Sequence, residues 1–188
     1  MPEQRGPGLS LAEWLVLCLI SEGPTHGFAI ACLLARDSSL GQVWHVHKPV
    51  IYRAARRLEH LGLITVSEKQ PSRRGAAFAQ LQATAAGRQA AGRWLREPVS
   101  HPRDIRSELL FKLALLDRAG VEPRDLLRGQ RDQLAPVAAA LASQMRAATG
   151  YDRVLAVWRH ESVSATLRWL DTLLATVPAQ PRSRAGSR

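Results

Sequence analysis

The sequence predicts a mostly α-helical protein with a small β wing. Three observations carry this reading. Residues 10–62 hold three segments of helical apolar period, and residues 63–81 hold two short apolar runs around a basic tip. Everything from Asp104 to Thr176 is helical in pattern. Helix, helix, helix, hairpin is the order of a winged helix-turn-helix, and the remainder suits an α-helical dimerisation domain. The expected division is a winged DNA-binding domain over 9–97 and a helical dimerisation domain over 98–177, with disordered ends at 1–8 and 178–188.

The first helix starts at Ser10, where Ser10 and Glu13 have capping-box spacing, and Glu22-Gly23-Pro24 ends it. Thr25 is the expected cap of a second helix to about Arg36, offering Phe28, Ile30, Leu33 and Leu34 to a core. A loop at 37–41 leads to the third helix, Lys48 to Gly62, with Pro49 suited to the first helical position and Gly62 to the stop. The wing pairs residues 63–66 with 76–81 across the tip Gln70 to Gly75. Thr84 caps a helix to Arg96, and Pro98 and Pro102 then break the chain. Three helices follow: Asp104 to Leu116, Pro123 toward Ala148 with a kink or division at Pro136, and Tyr151 to Thr176.

Charge narrows the partner. The chain of 188 residues carries a net charge of +10, and the excess is uneven. Residues 1–95 hold 11 Lys/Arg against 6 Asp/Glu, residues 96–176 hold 12 against 10, and the last twelve residues add three arginines with no acid. A basic N-terminal half fits a polyanion such as double-stranded DNA. On the third helix, Val50, Ile51, Ala54, Ala55, Leu58 and Leu61 fall on one side. Tyr52, Arg53, Arg56 and His60 fall on the other, a front that a major groove accepts. The expected DNA contacts are Tyr52, Arg53 and Arg56, Lys48 at the helix start, His47 as a groove-edge donor, and Arg73 and Arg74 at the wing tip. Arg57 lies on the border between the faces.

Apolar helix surface in 104–176 exceeds what a small winged domain can cover, which argues for a homodimer. Leu155, Trp158, Leu167, Leu170 and Leu174 share one side of the last helix and form the expected interface. Trp94, Trp158 and Trp169 are candidates for an aromatic wall that receives a small-molecule effector. Other chemistry finds little footing. His45 and His47 form an H-x-H pair without a completing ligand, so no metal is expected. No nucleophile constellation or phosphate loop points to an enzyme, and no cofactor is implied. Cys18 and Cys32 both sit in apolar helical contexts and read as buried thiols. No apolar run approaches the roughly 20 residues of a membrane span, so no membrane partner is expected and the default compartment is the cytoplasm.

Four motifs then meet in order between residues 9 and 117. Leu17 to Phe28 contains the turn Gly23-Pro24-Thr25-His26-Gly27-Phe28, and Ile51 to Ile64 opens on Tyr52-Arg53 and ends on Leu58-Glu59-His60-Leu61-Gly62-Leu63-Ile64. Thr84-Ala85-Ala86-Gly87-Arg88 precedes Trp94-Leu95, and Arg103 to Asp117 follows. Together they resemble the PadR family of bacterial transcriptional regulators, in the branch with a longer helical C-terminus. Where that family shows a tyrosine late in the wing, this chain has Leu81-Gln82-Ala83. The resemblance implies a homodimeric repressor on an inverted-repeat operator, released by a small molecule or a partner. Two alternatives keep the fold. One is another class of winged-helix regulator; the other is a winged-helix protein-interaction module without DNA binding, against which the basic front stands.

Overall fold

The computed structural model describes residues 8–67, 70–72 and 75–176. The chain forms two compact units, Met1–Pro123 and Arg124–Arg188. The division therefore falls later than the break expected at Pro98. The reason is apolar: Phe111 and Leu115, well past that break, are buried in the same core cluster as the first helix.

The first unit is built around α1 (Leu11–Ser21). Its capping box is complete, with the Ser10 hydroxyl accepting from the Glu13 amide and the Glu13 carboxylate accepting from the Ser10 amide. Six consecutive residues, Leu15 to Ile20, are buried, so α1 is covered on all sides. α2 (Gly27–Leu33) is shorter than expected, and its cap is His26, whose Nδ1 accepts from the Ala29 amide at 3.1 Å. Thr25 cannot serve as the cap because its backbone is already committed. It exchanges two hydrogen bonds with Leu81, at 3.0 and 2.7 Å, and ties the wing's base to the helices. The expected loop at 37–41 instead enters a short helix, α3 (Ser39–Val43), because Ser38 accepts from the Gly41 amide.

α4 (Lys48–His60) buries Ile51, Ala54, Ala55 and Leu58. Leu61, expected on that apolar side, lies just past the helix and is exposed. Gly62 follows at φ +68, the left-handed stop that glycine allows. β1 (Ile64–Val66) is followed by β2 (Gln70–Ser72), β3 (Gly75–Phe78) and β4 (Leu81–Ala83). β1 pairs antiparallel with β4, Thr65 opposite Gln82, and β2 pairs with β3. The strand pairing at the wing's base is thus 81–83, later than the run expected at 76–81. Ile64, Leu81 and Ala83 turn inward while Thr65 and Gln82 turn out.

Thr84 caps α5 (Ala85–Trp94) through the Gly87 amide. Trp94 stacks on Trp14, ring centroids 5.4 Å apart. The single helix expected from Asp104 is a 3-10 turn (Pro102–Asp104), a π-turn (Ile105–Leu109) and then α6 (Leu110–Arg118). Lys112 of α6 is buried, yet its ammonium is satisfied. It donates to the Glu97 carbonyl at 2.7 Å, pairs with Glu108 at 2.8 Å and lies 4.6 Å from the Trp94 ring centroid.

The second unit is a pair of antiparallel helices, α7 (Arg124–Ala147) and α8 (Gly150–Thr176). Arg131 pairs with Asp171 at 2.5 Å, and Arg124 donates to the Leu174 carbonyl. Pro136 does not divide α7, which continues as one helix packed along α8. Among the described residues, no helix is long and apolar enough to cross a membrane.

Candidate nucleic-acid interface

α4 displays one charged face because its other face is committed to the core. Lys48, Tyr52, Arg53 and Arg56 are all exposed, as the helical period predicts. Arg57, on the border, is held back by α1, its guanidinium 3.2 Å from the Glu13 carboxylate. His47 is the N-cap residue of α4 and is exposed, which suits a donor at a groove edge. His45 faces inward enough for its Nδ1 to reach the Leu34 carbonyl at 3.1 Å. The ring's role there is to anchor the segment before α4, and the two imidazoles meet edge to face. Arg73 and Arg74 lie outside the described residues.

One residue of this face escapes the sequence reading. Phe28 reads as core from its apolar period, yet it is 47 % exposed. It lies beside His26, and the Lys48 ammonium sits 5.4 Å from its ring centroid. The signal was available in the short α2 itself: Ile30 and Leu34 point inward, and Phe28 lies away from them around the helix. Gly27 meanwhile lets the start of α2 rest against the Tyr52 ring. Phe28, Lys48 and Tyr52 thus form one aromatic and cationic patch ahead of Arg53 and Arg56.

Residues 16–93, from α1 through α5, match the model of the transcriptional regulator PadR-like family. That stretch is a PadR-like domain. The chain is also similar in structure to Bacillus subtilis PadR in complex with operator DNA, at 18% identity, covering 91% of this chain and 100% of that one, with a TM-score of 0.46. For Bacillus subtilis PadR in complex with p-coumaric acid the values are 19%, 89%, 95% and 0.40. For a PadR-like transcriptional regulator from Bacillus cereus they are 17%, 88%, 97% and 0.38. No curated protein matches the chain.

The remaining candidate residues are scattered. Trp94, expected on a ligand wall, is buried in the core of the first unit between Trp14 and Lys112, which leaves no face for a ligand. Leu170, expected at a dimer interface, is 0 % exposed within the single chain and so is already covered. Leu155, Leu167, Leu174 and Trp169 are half-buried. Trp158 is 66 % exposed and shares a face of α8 with Tyr151 and Val154, also exposed. Cys32 is exposed, whereas Cys18 is buried as expected.

Proposed function

We propose that the chain is a sequence-specific DNA-binding regulator that acts as a homodimer on an inverted-repeat operator, represses, and is released by a small molecule. The observation that carries this reading is the outward row Lys48, Tyr52, Arg53 and Arg56 on the third main helix of a PadR-like domain. A helix with an apolar back and two arginines in front can enter a major groove, where arginine pairs with guanine or with phosphate. Exposed apolar residues on α8, Tyr151, Val154 and Trp158, supply a surface for a second copy. A two-fold dimer would then set two such helices about 34–36 Å apart, one turn of DNA.

The test is selection of fragments from the source genome by the purified protein, followed by footprinting. The reading expects a protected inverted repeat with half-sites about 10 base pairs apart or a multiple of that spacing. Uniform binding to every fragment, or none, would refute it and favour a protein-binding module.

A further inference from the structure

The inward side of α2 is closed by Ile30, and Leu34 follows it into the core. Phe28 takes no part in that packing and stays nearly half exposed. Two neighbours hold its ring in place. The His26 imidazole, fixed by accepting from the Ala29 amide, lies nearly parallel to it, with centroids 6.5 Å and planes 18° apart. The Lys48 ammonium sits 5.4 Å from its centroid. Lys48 is in the first turn of α4, the turn that approaches base edges when such a helix enters a groove. Gly27, next to Phe28 in the chain, rests against the ring of Tyr52, one turn further along α4. Phe28 is therefore level with the residues that face the duplex, although it belongs to another helix.

We propose that Phe28 reads a thymine, its ring packed on the C5-methyl group of one base in each half-site. This inference rests on the reading of the chain as a dimeric DNA-binding regulator, and it adds a residue of α2 to that regulator's specificity. The chemistry of the ring selects the occupant. An aromatic face is the negative part of the ring's quadrupole, so it attracts Lys48 and repels a phosphate. A nearby phosphate falls to Lys48 instead. What the ring can cover is apolar, and the apolar group that a major groove presents at a base edge is the thymine methyl. Deoxyribose is the other apolar surface of a duplex. It lies along the backbone, whereas Phe28 stands beside the first turn of α4 and Tyr52. The contact also supplies what the arginines lack. Arg53 and Arg56 recognise by hydrogen bonds and charge, and neither can sense a methyl group.

Uracil provides the test, because it keeps the hydrogen-bonding groups of thymine and lacks only the methyl. The full chain selects its preferred duplex from a randomised pool, and each thymine of that duplex is then replaced in turn by deoxyuridine. Wild-type affinity should fall about fourfold at one thymine in each half-site, the worth of one buried methyl. Phe28→Ala, melting as wild type does, should bind the thymine and uracil duplexes alike at that position and still lose affinity when a guanine is changed. A preferred duplex without thymine, or wild-type indifference to uracil at every position, overturns the proposal. So does a Phe28→Ala variant that keeps the wild-type discrimination, which gives the methyl to another residue such as Tyr52. A variant that weakens every sequence alike and leaves the preference intact also overturns it, by assigning the ring to the sugar–phosphate backbone. If no duplex is selected at all, the regulator reading itself fails, whereas a selected duplex without a uracil effect sinks this inference alone.

Discussion

Gly27 and Tyr52 are in such close contact that a Cβ built on Gly27 would stand 2.6 Å from the tyrosine Cε1. This places α2 and α4 in direct register through a ring at the proposed groove-facing surface. Tyr52 is half exposed, so the ring can swing away at small cost to the core. Gly27→Ala should therefore keep stability within about 1 kcal/mol, because a helical alanine offsets part of the crowding. Duplex affinity should fall by about tenfold as Tyr52 leaves its position. Melting and anisotropy on the same preparation separate the two effects. A large loss of stability would mean that the contact serves the fold.

Phe28 lies in the same patch. Phe28→Ala removes an exposed ring, so the melting temperature should hardly change, while Lys48 loses a cation–π neighbour 5.4 Å away. We expect weaker duplex binding, by a few-fold, and a check by titration at constant salt. Unchanged affinity would place Phe28 outside the interface.

The buried Lys112 gives a stability prediction. Glu108→Ala leaves a buried ammonium with one carbonyl and one ring face. Breaking a buried pair costs about 3–5 kcal/mol, and the partial exposure of Glu108 should lower this to about 2–3 kcal/mol. Lys112→Met should be milder, since the charge goes with the partner. Urea unfolding of both variants decides; the reverse order would show that the ion pair is not what holds α6 against Trp94.

Burial raises the Cys18 thiol from 9.0 to about 12, with Glu22 adding to the rise. The unfolded chain therefore releases this proton first. Its contribution is complete below about pH 9 and is lost as pH rises toward 12, by up to about 1.4 kcal/mol per pH unit. Cys18→Ala should flatten that part of the stability curve relative to wild type. In the native protein a thiol reagent should label the exposed Cys32 and spare Cys18. Rapid labelling of both would contradict the burial.

Two positions on α8 distinguish folding from assembly. Leu170 is fully buried, so Leu170→Ala should destabilise the chain by about 2–5 kcal/mol. Val154 and Trp158 are exposed, so V154D/W158D should melt normally yet sediment as a monomer. A double variant that remains dimeric would move the interface off this stripe.

Local chemistry made much of the fold legible. The Ser10–Glu13 box, the Gly62 stop and the Thr84 cap are short-range devices, and each stands where its residues indicate. The misreadings came from contacts distant in sequence. Thr25 and His26 could both cap α2, and only the pairing of Thr25 with Leu81 decides between them. Apolar period shows that Leu170 and Trp158 share a helix, but not which of them the neighbouring α7 covers. Phe28 reads as core for the same reason, since two-thirds of a short helix can look apolar while only one side is buried. The charged front of α4 was legible because its apolar back fixes the helix rotation, and every front residue follows from that.

The central claim is that this front binds the duplex. The most direct measurement is the affinity of the footprinted duplex for wild type and for R53A/R56A, titrated from 50 to 200 mM salt. With about 6–10 phosphate contacts per dimer, wild-type affinity should fall by roughly three to five orders of magnitude over that range. The double variant, still folded, should bind more weakly and show a shallower salt slope, by about one contact for each phosphate-paired arginine removed. A folded double variant with wild-type affinity and slope would contradict the account.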